Sequence, residues 1–287
     1  MPCCAGGEDA AGRRPPRRAE RALPLRHAVV LGLVQGPAEL LPISSSAHTA
    51  LIPWLAGWPY AELDGELRKS FEVALHAGAG CALALVGRRQ LARQLGGLDR
   101  RRASVLALSL APAAIAGYAL QRPIERRLGG PRSIAAGLIA GGVAMALVDT
   151  SPRRGARHRE DAGPRDGLAL GLAQAAALIP GVSRNGATLT AARARGFDRP
   201  GAHALSWSVA LPVILGASAL QARRLRGRGA PRHLPAMWVG GVTAFLSTLA
   251  SSRIVRGRGC AERPLLPYAV YRCLLAVLAI RRLRRAQ

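Results

Sequence analysis

Two short stretches of an otherwise apolar chain gather the side chains that can do chemistry. The first reads Gln35-Gly-Pro-Ala-Glu39 and continues to Ser44-Ser45-Ser46-Ala47-His48. Gln35 and Glu39 are four apart, so they share one face of a helix. A carboxylate inside an apolar segment is costly and marks a functional position by default. With three hydroxyls and an imidazole just beyond it, the stretch supplies a nucleophile, a base and a carboxylate that can hold a metal. Glu39 and Gln35 offer oxygen donors, which suit a hard divalent cation such as Mg2+ or Ca2+. Structural uses compete with each assignment. Glu39 can pair with an arginine, one of the serines can cap the following helix, and a lone histidine on an apolar face is often only a satisfied core residue.

The second stretch reads Ser183-Arg184-Asn185-Gly186 and reaches Thr188. Glycines on either side permit unusual backbone angles, and the open N–H groups at a helix start favour anions. Arg184 adds a planar fork matched to phosphate oxygens; its competing use is as a headgroup anchor. The candidate phosphate contacts are therefore Arg184, Ser183, Asn185, Gly186 and Thr188, with Ser44 and Ser46 from the first stretch. Glu72 and His76, four apart, can support the site from behind, or can be interfacial polar residues at a helix start.

Positioning these groups falls to membrane-type elements. Of 287 residues, 41 are basic and 16 acidic, for a net charge of +25, yet 49% are hydrophobic. That content excludes a disordered chain. Lys69 is the only lysine. The arginines fall in short loops beside apolar runs, where anionic headgroups lie, so nucleic acid is not an expected partner. The five cysteines show no CxxC or Cys/His ligand spacing and read as small hydrophobes or unpaired tail thiols. Residues 1–24 read as a disordered basic tail and 25–284 as one membrane-embedded domain.

Six stretches, near 70–87, 104–120, 133–150, 203–220, 235–251 and 265–280, have the roughly 17–20 apolar residues that a spanning helix needs. Arg-rich loops separate most of them, among them Arg88–Arg102 and Arg122–Arg132. Two further apolar stretches, His27–Trp58 and Asp166–Ala192, are each broken in the middle by Pro and small polar residues. Broken backbone at membrane depth is tolerated only inside protein or beside water, so each predicts a re-entrant hairpin. The order is hairpin, three spans, hairpin, three spans. Three is odd, so the halves, near 25–150 and 166–284, form an inverted repeat whose tips meet. Gly32-Leu-Val-Gln35 and Gly171-Leu-Ala-Gln174 echo it. The expected fold is thus an all-α integral membrane protein with six transmembrane helices and two re-entrant hairpins. Basic residues are balanced between the two sides, so charge sets no orientation.

The segment from Gln35 to His48 resembles the first signature of the undecaprenyl-diphosphatase, or bacitracin-resistance protein, family. Pro180-Gly-Val-Ser-Arg-Asn-Gly-Ala-Thr188 resembles the second. Phe71-Glu-Val-Ala-Leu-His76, Gly171-Leu-Ala-Gln174 and Tyr268-Ala-Val-Tyr-Arg272 add similarity, and the likeness runs over roughly residues 25–280. The sequence departs from the family pattern in modest ways: Gln35 for the commoner Glu, Ser46-Ala47 for Thr-Gly, Asn185 for Ser and His76 for Gln. The resemblance implies a multi-pass enzyme of the bacterial inner membrane. It would hydrolyse undecaprenyl diphosphate to undecaprenyl phosphate and inorganic phosphate, recycling the carrier of peptidoglycan synthesis and conferring bacitracin resistance. It places the reactive hydroxyl at Ser45, with His48 as base, Glu39 and Arg184 beside it, and a site open to the outer face. Attack by His48 itself, or by water, stays open. Its partners would be a polyprenyl diphosphate lipid and the bilayer, with room for a homodimer. The rival function is a transporter or flippase of the polyprenyl phosphate carrier, since broken helices meeting at a midplane are also a transporter architecture.

Overall fold

The computed structural model describes residues 23–63, 65–150, 157–225, 234–257 and 262–285; the basic tail foreseen at 1–24 lies almost wholly outside them. Ten α-helices account for most of these residues: α1 Leu25–Leu40, α2 Ser45–Leu55, α3 Gly65–Gly96, α4 Arg100–Leu128, α5 Pro131–Thr150, α6 Pro164–Ala176, α7 Arg184–Ala194, α8 Arg199–Leu225, α9 Leu234–Gly257 and α10 Leu266–Arg285. Among the described residues the only β pairing is an isolated bridge between Arg157 and Phe197. The protein is an all-α integral membrane protein.

Five helices, α3, α4, α5, α8 and α9, are long and apolar enough to cross a membrane. The sixth expected segment, 265–280, forms a helix of similar length, α10, of 20 residues. Its arginines, Arg272 in the middle and four near its end, set it apart in composition. The helices also extend further than the apolar runs. Arg88 to Gly96, read from sequence as loop, belongs to α3, and only Gly97–Asp99 separates it from α4. Arginine propagates a helix well, and its long stem lets the charge reach headgroups while the backbone stays helical.

Outward faces are apolar: Ile115, Leu147, Leu246 and Leu274 are each more than half exposed, as lipid contact requires. Inward, α1, α3 and α9 close around Leu31, Phe71, Leu75 and Ala244. Helices α2, α5 and α10 close around Leu51, Ile134, Leu138 and Ala276.

The internal repeat is visible in the packing. In the first half α1 lies against α9, and in the second α6 lies against α4. The same interval separates Gly32 from Gly171, Gln35 from Gln174, Ser44 from Ser183 and Thr49 from Thr188. Gly32 and Gly171 serve the same end, close backbone approach. A Cβ on Gly32 would sit 2.8 Å from the Gly240 carbonyl oxygen, and one on Gly171 would strike the Leu108 carbonyl and sit 2.8 Å from Pro112 Cδ.

Each broken segment folds back on itself, α1 against α2 and α6 against α7. The first break follows from Pro42, which forces Leu41 into an extended conformation (φ −91°, ψ 152°). Ser44 then starts α2 as its N-cap, accepting from the Ala47 N–H at 3.4 Å. Ser183 starts α7 in the same way, accepting from the Gly186 N–H at 3.2 Å. Among the described residues these two serines alone, glycines aside, have positive φ, 74° and 67°. Such backbone is uncommon outside glycine and points to over-determined surroundings.

The hairpin bases are secured differently. At the first, the His27 ring stacks on Trp58 with centroids 3.8 Å apart. At the second, Asp166 takes two bonds from Arg157, at 3.0 and 2.7 Å, and one from Arg195 at 2.8 Å. Burial alone would raise the Asp166 carboxyl; bonds from Arg157, the Gly163 backbone and Arg195 outweigh it and hold the group far below the usual carboxylate range.

Candidate active site

The site is built where the two tips meet. Glu39, on the last turn of α1, is buried and collects partners from both hairpins. Its Oε2 accepts from Gln35 Nε2 at 3.0 Å, one turn back on the shared face, and from Ser45 Oγ at 3.0 Å. Its Oε1 accepts from Arg184 Nη2 at 2.9 Å, from the first turn of α7. His76 Nε2 on α3 lies 3.8 Å from Oε2. Thus Gln35, Ser45, Arg184 and His76 converge on the Glu39 carboxylate. Glu72 takes part only through its backbone carbonyl, which receives His76 Nδ1 at 2.8 Å; its carboxylate faces Lys69.

His48 has a different environment from the one that the spacing suggests. Its Nδ1 lies 2.7 Å from the Ser44 carbonyl oxygen, and its Nε2 lies 2.7 Å from the Tyr271 hydroxyl on α10. A carbonyl only accepts, so Nδ1 carries the proton, and in the neutral ring Nε2 accepts from Tyr271. Both ring nitrogens are therefore engaged, while the Ser45 hydroxyl donates a hydrogen bond to Glu39. In this arrangement the base that touches Ser45 is the carboxylate.

The other candidate phosphate contacts are mostly spent on holding the tips. Asn185 Nδ2 donates to the Leu40 carbonyl at 2.7 Å, and its Oδ1 accepts from Ser206 at 3.0 Å. Thr188 bonds the Arg184 carbonyl at 3.0 Å and Ser206 at 2.6 Å. Ser183 caps α7 on the Gly186 N–H, and Ser44 caps α2 while lying 3.3 Å from Ser46 Oγ. What remains open is specific. Arg184 Nη1 and Gln35 Oε1 are buried and have no hydrogen-bond partner among the described residues. A buried unsatisfied polar group is costly and calls for a partner. Here one is a cationic donor and the other a carbonyl acceptor, both adjoining Glu39. The pair suits an anion and a hard cation bound side by side. No group of three or more His, Cys, Asp or Glu side chains is gathered among the described residues, so a cation would rest on Glu39, the Gln35 carbonyl and its ligand's own oxygens.

Two contributors escaped the residue-by-residue reading. Tyr271 is one. The other is Arg272, fully buried, whose guanidinium reaches both tips. Nη1 lies 3.5 Å from the Pro42 carbonyl oxygen, and Nη2 bonds the carbonyls of Gly181 at 2.9 Å and Val182 at 2.8 Å. It is the brace between the breaks. A charged residue in the middle of the 265–280 apolar run was the available signal.

Comparison with known proteins finds relatives over most of the chain. The profile of a family described as bacitracin resistance protein BacA matches residues 28–278. A protein named undecaprenyl-diphosphatase from Geobacter sulfurreducens is 39% identical over 275 residues, covering 89% of this chain and 97% of the relative. Proteins of the same name from Geobacter metallireducens and Thermomicrobium roseum are each 38% identical, over 86% and 77% of this chain and 94% and 84% of their own lengths.

Proposed function

The chain belongs to the bacitracin resistance protein BacA family, and from that premise we infer that it is an undecaprenyl-diphosphatase. It hydrolyses undecaprenyl diphosphate to undecaprenyl phosphate and inorganic phosphate, which returns the lipid carrier to peptidoglycan synthesis and underlies bacitracin resistance. The transporter reading has no support among the relatives, which carry the name of a hydrolase.

The observation that carries the reading is the chain Ser45–Glu39–Arg184, which joins a hydroxyl, its acceptor and a cation across the two tips. The free Nη1 of Arg184 would grip a phosphate oxygen. Ser45 Oγ would attack the terminal phosphorus and pass its proton to Glu39, while the bond from that phosphorus to the bridging oxygen breaks. Glu39 would then deliver the proton to the departing undecaprenyl phosphate. In a second displacement Glu39 takes a proton from water, the hydroxide attacks the phosphoserine, and Ser45 recovers its proton as inorganic phosphate leaves. Phosphoryl transfer of this kind depends on positioning and charge stabilisation, which the buried, braced tips supply. A divalent cation held by Glu39 and Gln35 Oε1 would neutralise charge on the diphosphate oxygens. His48, fixed between Ser44 and Tyr271, would tie the first tip to α10.

The expected topology has six spanning helices, α10 included, with the two hairpins re-entrant. The enzyme would lie in the bacterial plasma membrane with its site open to the outer face. The test is phosphate release from undecaprenyl diphosphate by purified protein in detergent, with and without a chelator, and after rapid quench. Release by wild type, with an acid-stable phosphoserine trapped on the way, is expected. An acid-labile phosphohistidine would move the nucleophile to His48, and absence of release would overturn the function.

A further inference from the structure

One face of α10 connects the site to the membrane interface. Tyr271, Leu274, Leu278, Arg281, Arg282 and Arg285 follow one another at helical spacing of three and four, apart from the adjacent pair Arg281-Arg282, and so form one stripe. At its upper end Tyr271 holds His48. Along its middle, Leu274 and Leu278 are 64% and 53% exposed, an apolar track open to lipid. At its lower end the stripe meets the end of α2 in a cleft of about 550 Å3, lined by Leu55, Leu278, Arg281, Arg282 and Arg285. The rise of 1.5 Å per residue places the cleft roughly 15–20 Å along α10 from Tyr271.

The cleft is built on a fixed wall. Arg282 Nη1 donates to the Leu55 carbonyl at 2.9 Å, and its guanidinium lies 5.4 Å from the Trp54 ring centre. Arg281 and Arg285 are exposed and have no hydrogen-bond or ion-pair partner among the described residues. Among the described residues no carboxylate lines the cleft. Three guanidinium groups over a leucine floor, with an apolar track leading away, match a lipid that carries dense negative charge on its head and a long hydrocarbon chain. Basic pockets between helices at an interface take phosphate headgroups in this way. A diphosphate, with more charge than the single phosphate of bulk phospholipids, fits three arginines better.

We propose that this cleft is a receiving site for the diphosphate headgroup of the polyprenyl substrate, with the hydrocarbon chain lying along the Leu274–Leu278 track. The proposal rests on the diphosphatase reading above. It adds a first binding station to that enzyme, separate from the reacting groups.

The test compares the Arg281→Gln/Arg285→Gln double variant with wild type and with Arg284→Gln, which removes a neighbouring charge outside the cleft lining. Arg282 is left in place because it supports the fold. KM for undecaprenyl diphosphate should rise on the order of tenfold in the double variant with kcat unchanged, since each surface arginine contributes a modest headgroup attraction. The wild-type KM should rise with salt and that of the double variant should not; Arg284→Gln should behave as wild type. An unchanged KM in the double variant, or an equal rise in Arg284→Gln, overturns the proposal. Binding of labelled undecaprenyl diphosphate to Ser45→Ala protein, in competition with phosphatidylglycerol vesicles, supplies the second readout. Loss of binding with the two arginines supports the station even if wild type proves not to hydrolyse the lipid, in which case only the diphosphatase reading fails. Equal competition by phosphatidylglycerol makes the cleft a bulk-lipid anchor and also overturns it.

Discussion

The two hairpin tips share a scaffold and differ in charge. Each begins its second helix with a serine at positive φ, capping the N–H three residues on. Each has a threonine five residues after that serine that bonds back to the carbonyl three before it, Thr49 to Ser46 and Thr188 to Asn185, both at 3.1 Å. At matching places, however, the first tip has Glu39, Ser45 and His48 where the second has Leu178, Arg184 and Ala187. One tip carries a carboxylate and a hydroxyl, the other a guanidinium. A repeat duplicates geometry, but a phosphoryl-transfer site needs unlike groups facing each other. The internal repeat supplies two equal frames, and the side chains at three positions give them opposite character.

The largest effect should come from removing the acidic half. Glu39→Gln keeps hydrogen-bonding capacity but can neither take the Ser45 proton nor lend charge to a cation. We expect kcat to fall on the order of a thousandfold, at the upper end of what one acid–base or charge-stabilising group supplies. Full metal-dependent turnover in this variant would break the comparison, since the first tip would then be structural. Gln35→Glu, by contrast, should be tolerated and should tighten metal binding, measured by titration of activity against added cation.

The cationic half should be nearly as sensitive to shape as to charge. Arg184→Lys retains the charge and loses the fork, one arm of which holds Glu39 while the other is free. A loss of about a hundredfold in kcat/KM is expected. Unchanged steady-state kinetics would reduce Arg184 to a distant source of field.

A smaller effect should follow at Tyr271. Tyr271→Phe removes the hydroxyl from His48 Nε2, and kcat should drop several-fold, roughly what a supporting hydrogen bond supplies. The pH profile of kcat should change with it. Leu274→Ala, on the same α10 face, should leave that profile as it is. If both variants behave alike, Tyr271 only fills space.

The smallest effect tests the shared frame itself. Ser44→Ala and Ser183→Ala each remove one N-cap and should cost about 1 kcal/mol of stability apiece, read as similar falls in Tm. A marked inequality would show that the two frames are not equivalent supports.

Much of this was legible in the sequence, for a physical reason. Pro42, and Pro180 with Gly181, stand beside small polar residues within apolar runs and mark the breaks, where Pro37 and Pro53 stay inside helices, and Gln35 and Glu39 share a face by spacing alone. Those are local properties. The partners are not. Glu39 and Arg184 are 145 residues apart, His48 and Tyr271 are 223 apart, and Pro42 and Arg272 are 230 apart. No local rule connects them. The pairing of Ser45 with Glu39 rather than His48 also could not be read from spacing, because it depends on where Pro42 turns the chain. The arginine-rich ends of α3 and α4 escaped for the opposite reason: hydropathy marks where lipid ends, not where the helix does.

The brace formed by Arg272 has a consequence for biosynthesis. The tips are polar interruptions in apolar segments, and the guanidinium that joins their carbonyls belongs to α10, the last of the described helices to be translated. Until α10 is inserted, the newly made chain holds Glu39 and Arg184 in a bilayer without the residue that clamps their loops together. A chain cut before α10 should therefore keep both tips but lose the clamp between them, and with it activity.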